Sequence, residues 1–93
     1  MLNDRIKELR LSNGMTQVEL ARGLSVSKQC VSNWENNNIQ PSVDMLVKIA
    51  RYFSVSTDYL LCLDNHKYIN VNDLTDTQIA HIRQIIKDIV QKD

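Results

Sequence analysis

Ser27, Lys28, Gln29, Ser32 and Asn33 recur at a spacing that puts them on one face of a short helix, with Val31 and Trp34 turned the other way. These side chains suit reading rather than reacting. Gln and Asn amides match the donor and acceptor of an adenine edge, and Lys matches guanine O6 and N7. Trp34 could stack on a base, but at helical spacing from Val31 it reads as core. Reactive groups are scattered elsewhere. There is no Ser/His/Asp arrangement, no phosphate-cradling glycine loop and no carboxylate pair in a plausible cleft, so no catalytic residue is assigned. His66 and His81 have no nucleophile or base placed beside them. With Cys30 and Cys62 they match no metal-ligand spacing. The two cysteines read as reduced thiols, and neither metal nor cofactor is expected.

The elements that must hold that face are helical. A chain of 93 residues is one small domain with a short appendage, and two Gly and one Pro argue against a turn-rich β fold. A core of that size is marginal and gains from a partner subunit. The first segment runs from Asn3 to about Ser12, with Leu2, Ile6 and Leu9 at helical spacing, and Asn13-Gly14 stops it. Thr16-Gln17-Val18-Glu19 reads as a capping box opening a helix that carries Leu20, Ala21 and Leu24. After a turn of three or four residues Ser27 caps the next helix, Lys28 to Asn36. Alanine at position 21 allows the two helices to approach closely at a steep angle. Asn36-Asn37-Asn38 suits a left-handed exit.

Pro41-Ser42 starts a helix over Val43–Phe53, with Leu46, Ile49, Ala50 and Phe53 at i, i+3, i+4, i+7 spacing, and Ser56 caps a last short turn. Tyr52 and Tyr59 read as packing residues. Asp64 to Asp73 is polar, with a short strand expected where Tyr68-Ile69-Asn70-Val71 alternates. Thr75 to Gln78 is a second capping box, and the helix after it carries Ile79, Ile82, Ile86 and Ile89, helped by Ile85 and Val90.

Charge bears on what such a protein can hold. Net charge is zero: residues 1–63 hold seven Lys/Arg against six Asp/Glu, residues 64–93 four against five, or +1 and −1. Affinity for phosphates depends on local positive charge, so binding to nucleic acid must rest on placed contacts and on doubling the protein. No stretch approaches the roughly 18 apolar residues of a membrane span, and Met1 to Arg10 is charged and not signal-like. A soluble, cytoplasmic protein without membrane contact is expected.

The stretch TQVELARGLSVSKQCVSNWENN, followed by QPSVDMLVKIARYFSVSTDYLL, resembles the phage repressor and Cro type domain, the XRE family, over about residues 4–61. The resemblance implies a compact five-helix domain whose third helix enters the major groove. It implies that Lys28, Gln29, Ser32 and Asn33 face the bases, with Ser27 beside them. Thr16, Gln17 and Asn36 would contact the DNA backbone, Gln17 aided by a helix N-terminus. Arg10 and Glu35 match positions that often form an ion pair. Ser25 stands where the family often has Gly, and a left-handed backbone there costs a serine about 1 kcal/mol. Asn37 replaces another frequent Gly, and Asn38, Ile39 and Gln40 lack the positive charge often found there.

The expected fold is therefore all-α: a five-helix repressor-like DNA-binding domain with an additional C-terminal amphipathic helix. Residues 1–63 form the helix-turn-helix domain, 64–74 a linker, and 75–93 the C-terminal helix. The isoleucine face of that helix either binds a second copy or folds back on its own domain, since exposed isoleucines are unfavourable. Near-neutral charge favours the homodimer. The expected function is that of a sequence-specific double-stranded DNA-binding transcription regulator, a repressor acting by operator occupancy. The alternative is an antitoxin-like or other interaction module whose C-terminal helix holds a partner protein.

Overall fold

The computed structural model describes residues 1–91, so Lys92 and Asp93, the end of the segment expected to be the C-terminal helix, lie outside it. The described residues form six helices: α1 (Leu2–Ser12), α2 (Gln17–Leu24), α3 (Lys28–Glu35), α4 (Val43–Tyr52), α5 (Thr57–Leu60) and α6 (Asp76–Val90). Every helix after the first begins at a hydroxyl. Ser27, Ser42 and Ser56 accept from the amides of Cys30, Met45 and Tyr59 at 3.1, 3.1 and 2.9 Å. Thr16 and Thr75 form complete capping boxes with Glu19 and Gln78. Each such cap satisfies an amide that the helix itself leaves orphaned.

The helix exits share a device. Gly14, Ser25, Asn37, Ser54 and Cys62 all adopt positive φ, between 55° and 65°. The residue after each returns its amide to a carbonyl five residues back: Met15 to Arg10, Val26 to Ala21, Asn38 to Asn33, Val55 to Ala50 and Leu63 to Asp58. This is the Schellman closure, which satisfies the last carbonyls and turns the chain sharply. Gly14 is the one glycine among the five and the one placed without strain. Ser25, which stands where the family often has Gly, does take the left-handed backbone, with φ 59° and ψ 41°.

These turns fold α1 to α5 around one core made of Ile6, Leu20, Ala21, Leu24, Val31, Trp34, Ile49, Ala50 and Leu60. α2 packs on α3 and α4, α1 on α3 and α5, and α4 on α5. Tyr59 is buried, as its packing role requires. Tyr52 is 42% exposed yet closes over Gly23, where an added Cβ would lie 2.5 Å from the tyrosine Oη.

The C-terminal part is different. Tyr68 to Val71 form no strand among the described residues, because no neighbouring strand offers the segment a ladder. Asn70 donates its amide to the Ser54 carbonyl instead, at 3.2 Å. α6 makes no extended packing contact with α1 to α5, and none of its residues is fully buried. The described chain is correspondingly long, 42 × 29 × 25 Å, with a radius of gyration of 14.9 Å. A compact chain of this length would be near 12 Å.

Candidate nucleic-acid interface

α3 carries the polar face that its spacing requires. Val31 and Trp34 point into the core and fix the rotation of the helix. Ser27, Lys28 and Gln29 are consequently exposed, and Ser32 and Asn33 half-buried. Asn36, the C-cap, is exposed. Two side-chain bonds run along this face at i, i+4: Gln29 Nε2 donates to Asn33 Oδ1 at 3.0 Å, and Asn36 Nδ2 to Ser32 Oγ at 3.2 Å. Lys28 enters no ion pair among the described residues and keeps its charge free.

Beside α3 lies the start of α2, with Thr16 exposed and Gln17 half-buried. The two helices are tied by one buried cluster. Arg10 Nε and Nη2 donate to Glu35 Oε2 and Oε1 at 2.7 and 3.0 Å, and Arg10 Nη1 to the Met15 carbonyl at 2.8 Å. Gln17 Nε2 donates to the same Glu35 Oε1 at 3.1 Å. Burial pushes the Glu35 carboxyl up. The Arg10 fork, the Gln17 amide and the charges of Arg10 and Lys7 outweigh burial and hold it below its ordinary value. The same Glu35 hydrogen bond holds the Arg10 guanidinium, against burial, above its ordinary range. The ion pair that family resemblance implies is therefore present, and it also orients a residue expected to touch the DNA backbone. Nothing in the local sequence signals that Gln17–Glu35 bond, because it spans 18 positions and depends on the α2–α3 angle. A further tie, Lys48 Nζ to the Leu24 carbonyl at 2.6 Å, fastens the end of α2 to α4.

Of the other singled-out residues, Cys30 packs against the core below the polar face and Cys62 closes α5; both are free thiols. His66 bonds Asp64 through Nδ1 at 2.8 Å and stacks on Tyr68. No group of three or more metal-ligating side chains occurs among the described residues. Ile79 and Ile82 are half-buried in a groove shared with Tyr68, Ile69 and Val71, whereas Ile86 and Ile89 are 50% and 67% exposed. That isoleucine face lies on an element separate from α2 and α3. No helix among the described residues is long and apolar enough to cross a membrane.

The helix-turn-helix family model matches residues 6–60, which span α2, the turn and α3. The HTH-type transcriptional regulator ImmR of Bacillus subtilis (strain 168) is 38% identical over 87 residues, covering 94% of this chain and 68% of that protein. The antitoxin PezA of Streptococcus pneumoniae serotype 4 is 28% identical over 88 residues, covering 95% of this chain and 53% of that protein. Among solved structures, the P22 c2 repressor in complex with synthetic operator 9T superposes with a TM-score of 0.64 at 28% identity. The match covers 69% of this chain and 97% of the repressor chain.

Proposed function

The chain belongs to the XRE-type helix-turn-helix family, and on that footing we propose that it is a sequence-specific double-stranded DNA-binding transcription regulator, acting as a repressor by operator occupancy. The observation that carries this reading is the likeness to the operator-bound P22 c2 repressor over 69% of the chain, beside a family match over residues 6–60 that takes in α2 and α3. On this reading α3 enters the major groove and presents Ser27, Lys28, Gln29, Ser32 and Asn33 to base edges. Thr16, Gln17 and Asn36 flank the groove and hold phosphates, helped by the free amides at the start of α2. Recognition of this kind needs no cofactor and no catalytic group, and it takes place in the cytoplasm.

With a formal net charge of zero, one domain has a weak electrostatic grip on DNA. Two domains share the load if α6 pairs with the α6 of a second copy through Ile79, Ile82, Ile86 and Ile89. The exposure of Ile86 and Ile89 supports that pairing, because such a face is unfavourable in water. The dimer then reads two half-sites about one helical turn, near 34 Å, apart.

A second reading rests on the likeness to the antitoxin PezA, which takes in 95% of this chain. There the isoleucine face holds a different protein, and DNA binding is secondary. Selection of bound fragments from a random duplex pool at about 150 mM salt separates the readings. An enriched inverted repeat is the result expected of a dimeric regulator. Absence of any enrichment by a folded protein would leave the partner-protein reading in its place.

A further inference from the structure

On the reading that the chain binds an inverted repeat as a dimer held by α6, we propose that residues 64–74 are a stiff spacer, fastened to the domain at Arg5 and Ser54, that fixes the half-site spacing the dimer accepts. A polar segment of this composition could be a loose tether. A free chain of the ten residues 65–74 would have an end-to-end distance ranging around roughly 17 Å. Play on that scale covers about five base-pair steps, each about 3.4 Å, and would let the two reading helices adapt to many spacings.

The segment is instead knit along its length. Leu63 and Asp64 both return their amides to the Asp58 carbonyl, at 2.8 and 3.3 Å. The His66 amide donates to Asp64 Oδ1 at 2.8 Å, and the Asn72 amide to Asn70 Oδ1 at 2.9 Å. The Leu74 amide donates to the Val71 carbonyl at 3.0 Å. Each bond closes a turn and removes conformations from the segment.

Two ties join it to the domain. Arg5 of α1 lies over the buried Tyr59 of α5, its guanidinium carbon 3.9 Å from the ring centroid. From that seat Arg5 Nη2 donates to Asn65 Oδ1 at 3.2 Å. A guanidinium only donates, so Asn65 has to turn its oxygen to it. Five residues on, the Asn70 amide donates to the Ser54 carbonyl at 3.2 Å, at the closure between α4 and α5. On the other side Tyr68, Ile69 and Val71 line a groove with Ile79 and Ile82 of α6, both half-buried. Domain, segment and α6 are thus connected without a free tether. Pairing α6 with its twin then sets both the distance and the rotation between the two α3 helices.

The test measures the affinity of the full chain for inverted repeats whose half-sites are moved apart by one to five base pairs, beside a duplex with one half-site. Sedimentation mass is read in parallel. The unaltered dimer should bind one spacing about a hundredfold better than spacings two or more base pairs away, where affinity should approach that for the single half-site. Replacing residues 65–70 by alternating Gly and Ser should flatten that dependence to about tenfold or less, with the dimer mass and the single half-site affinity unchanged. Arg5→Ala leaves the segment and α6 in place and should narrow the ratio in the same direction, so it decides the matter if the replacement does not dimerise. A structural role for Arg5 would lower the single half-site affinity without moving the ratio. The inference is overturned if Arg5→Ala keeps the full spacing dependence, or if the unaltered dimer binds all spacings alike. An unaltered chain that binds every duplex as a monomer overturns the homodimer reading, and this inference with it.

Discussion

Glu35 receives three donors in a nearly closed space, and only one of its two neighbours carries charge. Arg10 neutralises it through a fork, while Gln17 spends an amide on it that would otherwise point to solvent. A buried pair of this kind stabilises less by its presence than it would destabilise by being broken, because the survivor is left charged and dry. Glu35→Ala should therefore cost about 3 kcal/mol in urea unfolding and should also free Gln17. A loss within a few tenths of a kcal/mol would show that the cluster is solvated after all. The carboxyl is held below its ordinary value in the folded chain, so the unfolded chain binds the extra proton first. That contribution is complete above the ordinary carboxylate range and fades as pH falls through the depressed value. The Glu35→Ala variant should thus lose less stability on acidification than the unaltered protein. At this scale the sequence is partly legible. The direction in which α3 faces follows from Val31 and Trp34. The bonds among Arg10, Gln17 and Glu35 depend on where three separate segments meet, and no local pattern records that.

Among the elements, helix starts were readable and helix ends less so. Ser27, Thr16 and Thr75 announce their helices because a hydroxyl cap followed by an apolar period is a local signal. Ser25 and Asn37 could be placed at left-handed exits by family resemblance and by the tolerance of asparagine. Ser54 and Cys62 carry no such mark, yet both take positive φ. The closure is imposed by packing on the core, since Val55 packs against the buried cluster and returns its amide to Ala50 of α4. A serine held there is strained, and among the described residues Ser54 forms no side-chain bond that compensates. Ser54→Gly should stabilise the fold by about 1 kcal/mol, or raise Tm by roughly 4–8 °C, in thermal unfolding. An unchanged or lower Tm would mean that the turn carries no strain. The strand expected at Tyr68 to Val71 failed for the opposite reason: alternation is a local pattern, but a strand needs a neighbour, and the Asn70 amide goes to Ser54 instead.

The molecule as a whole divides its apolar groups unequally. α1 to α5 enclose their own core, while α6 stands apart with Ile85, Ile86, Ile89 and Val90 at the surface. An isolated helix of 15 residues is marginal in water, so its face has to be covered for it to persist. We expect the Ile86→Glu/Ile89→Glu variant to sediment as a monomer and to bind an inverted repeat far more weakly than the unaltered chain, with α1 to α5 still folded. An unaltered chain that is itself monomeric at working concentration would remove the homodimer and favour the partner-protein reading.

Sequence-specific recognition through α3 is the claim on which the rest depends, and the ratio of two affinities tests it most directly. The selected duplex and a scrambled duplex of the same length would be compared at about 150 mM salt, where non-specific phosphate contacts are weakened. The expected ratio is on the order of a thousandfold or more in favour of the selected sequence. A ratio near one, with the protein folded, would contradict it.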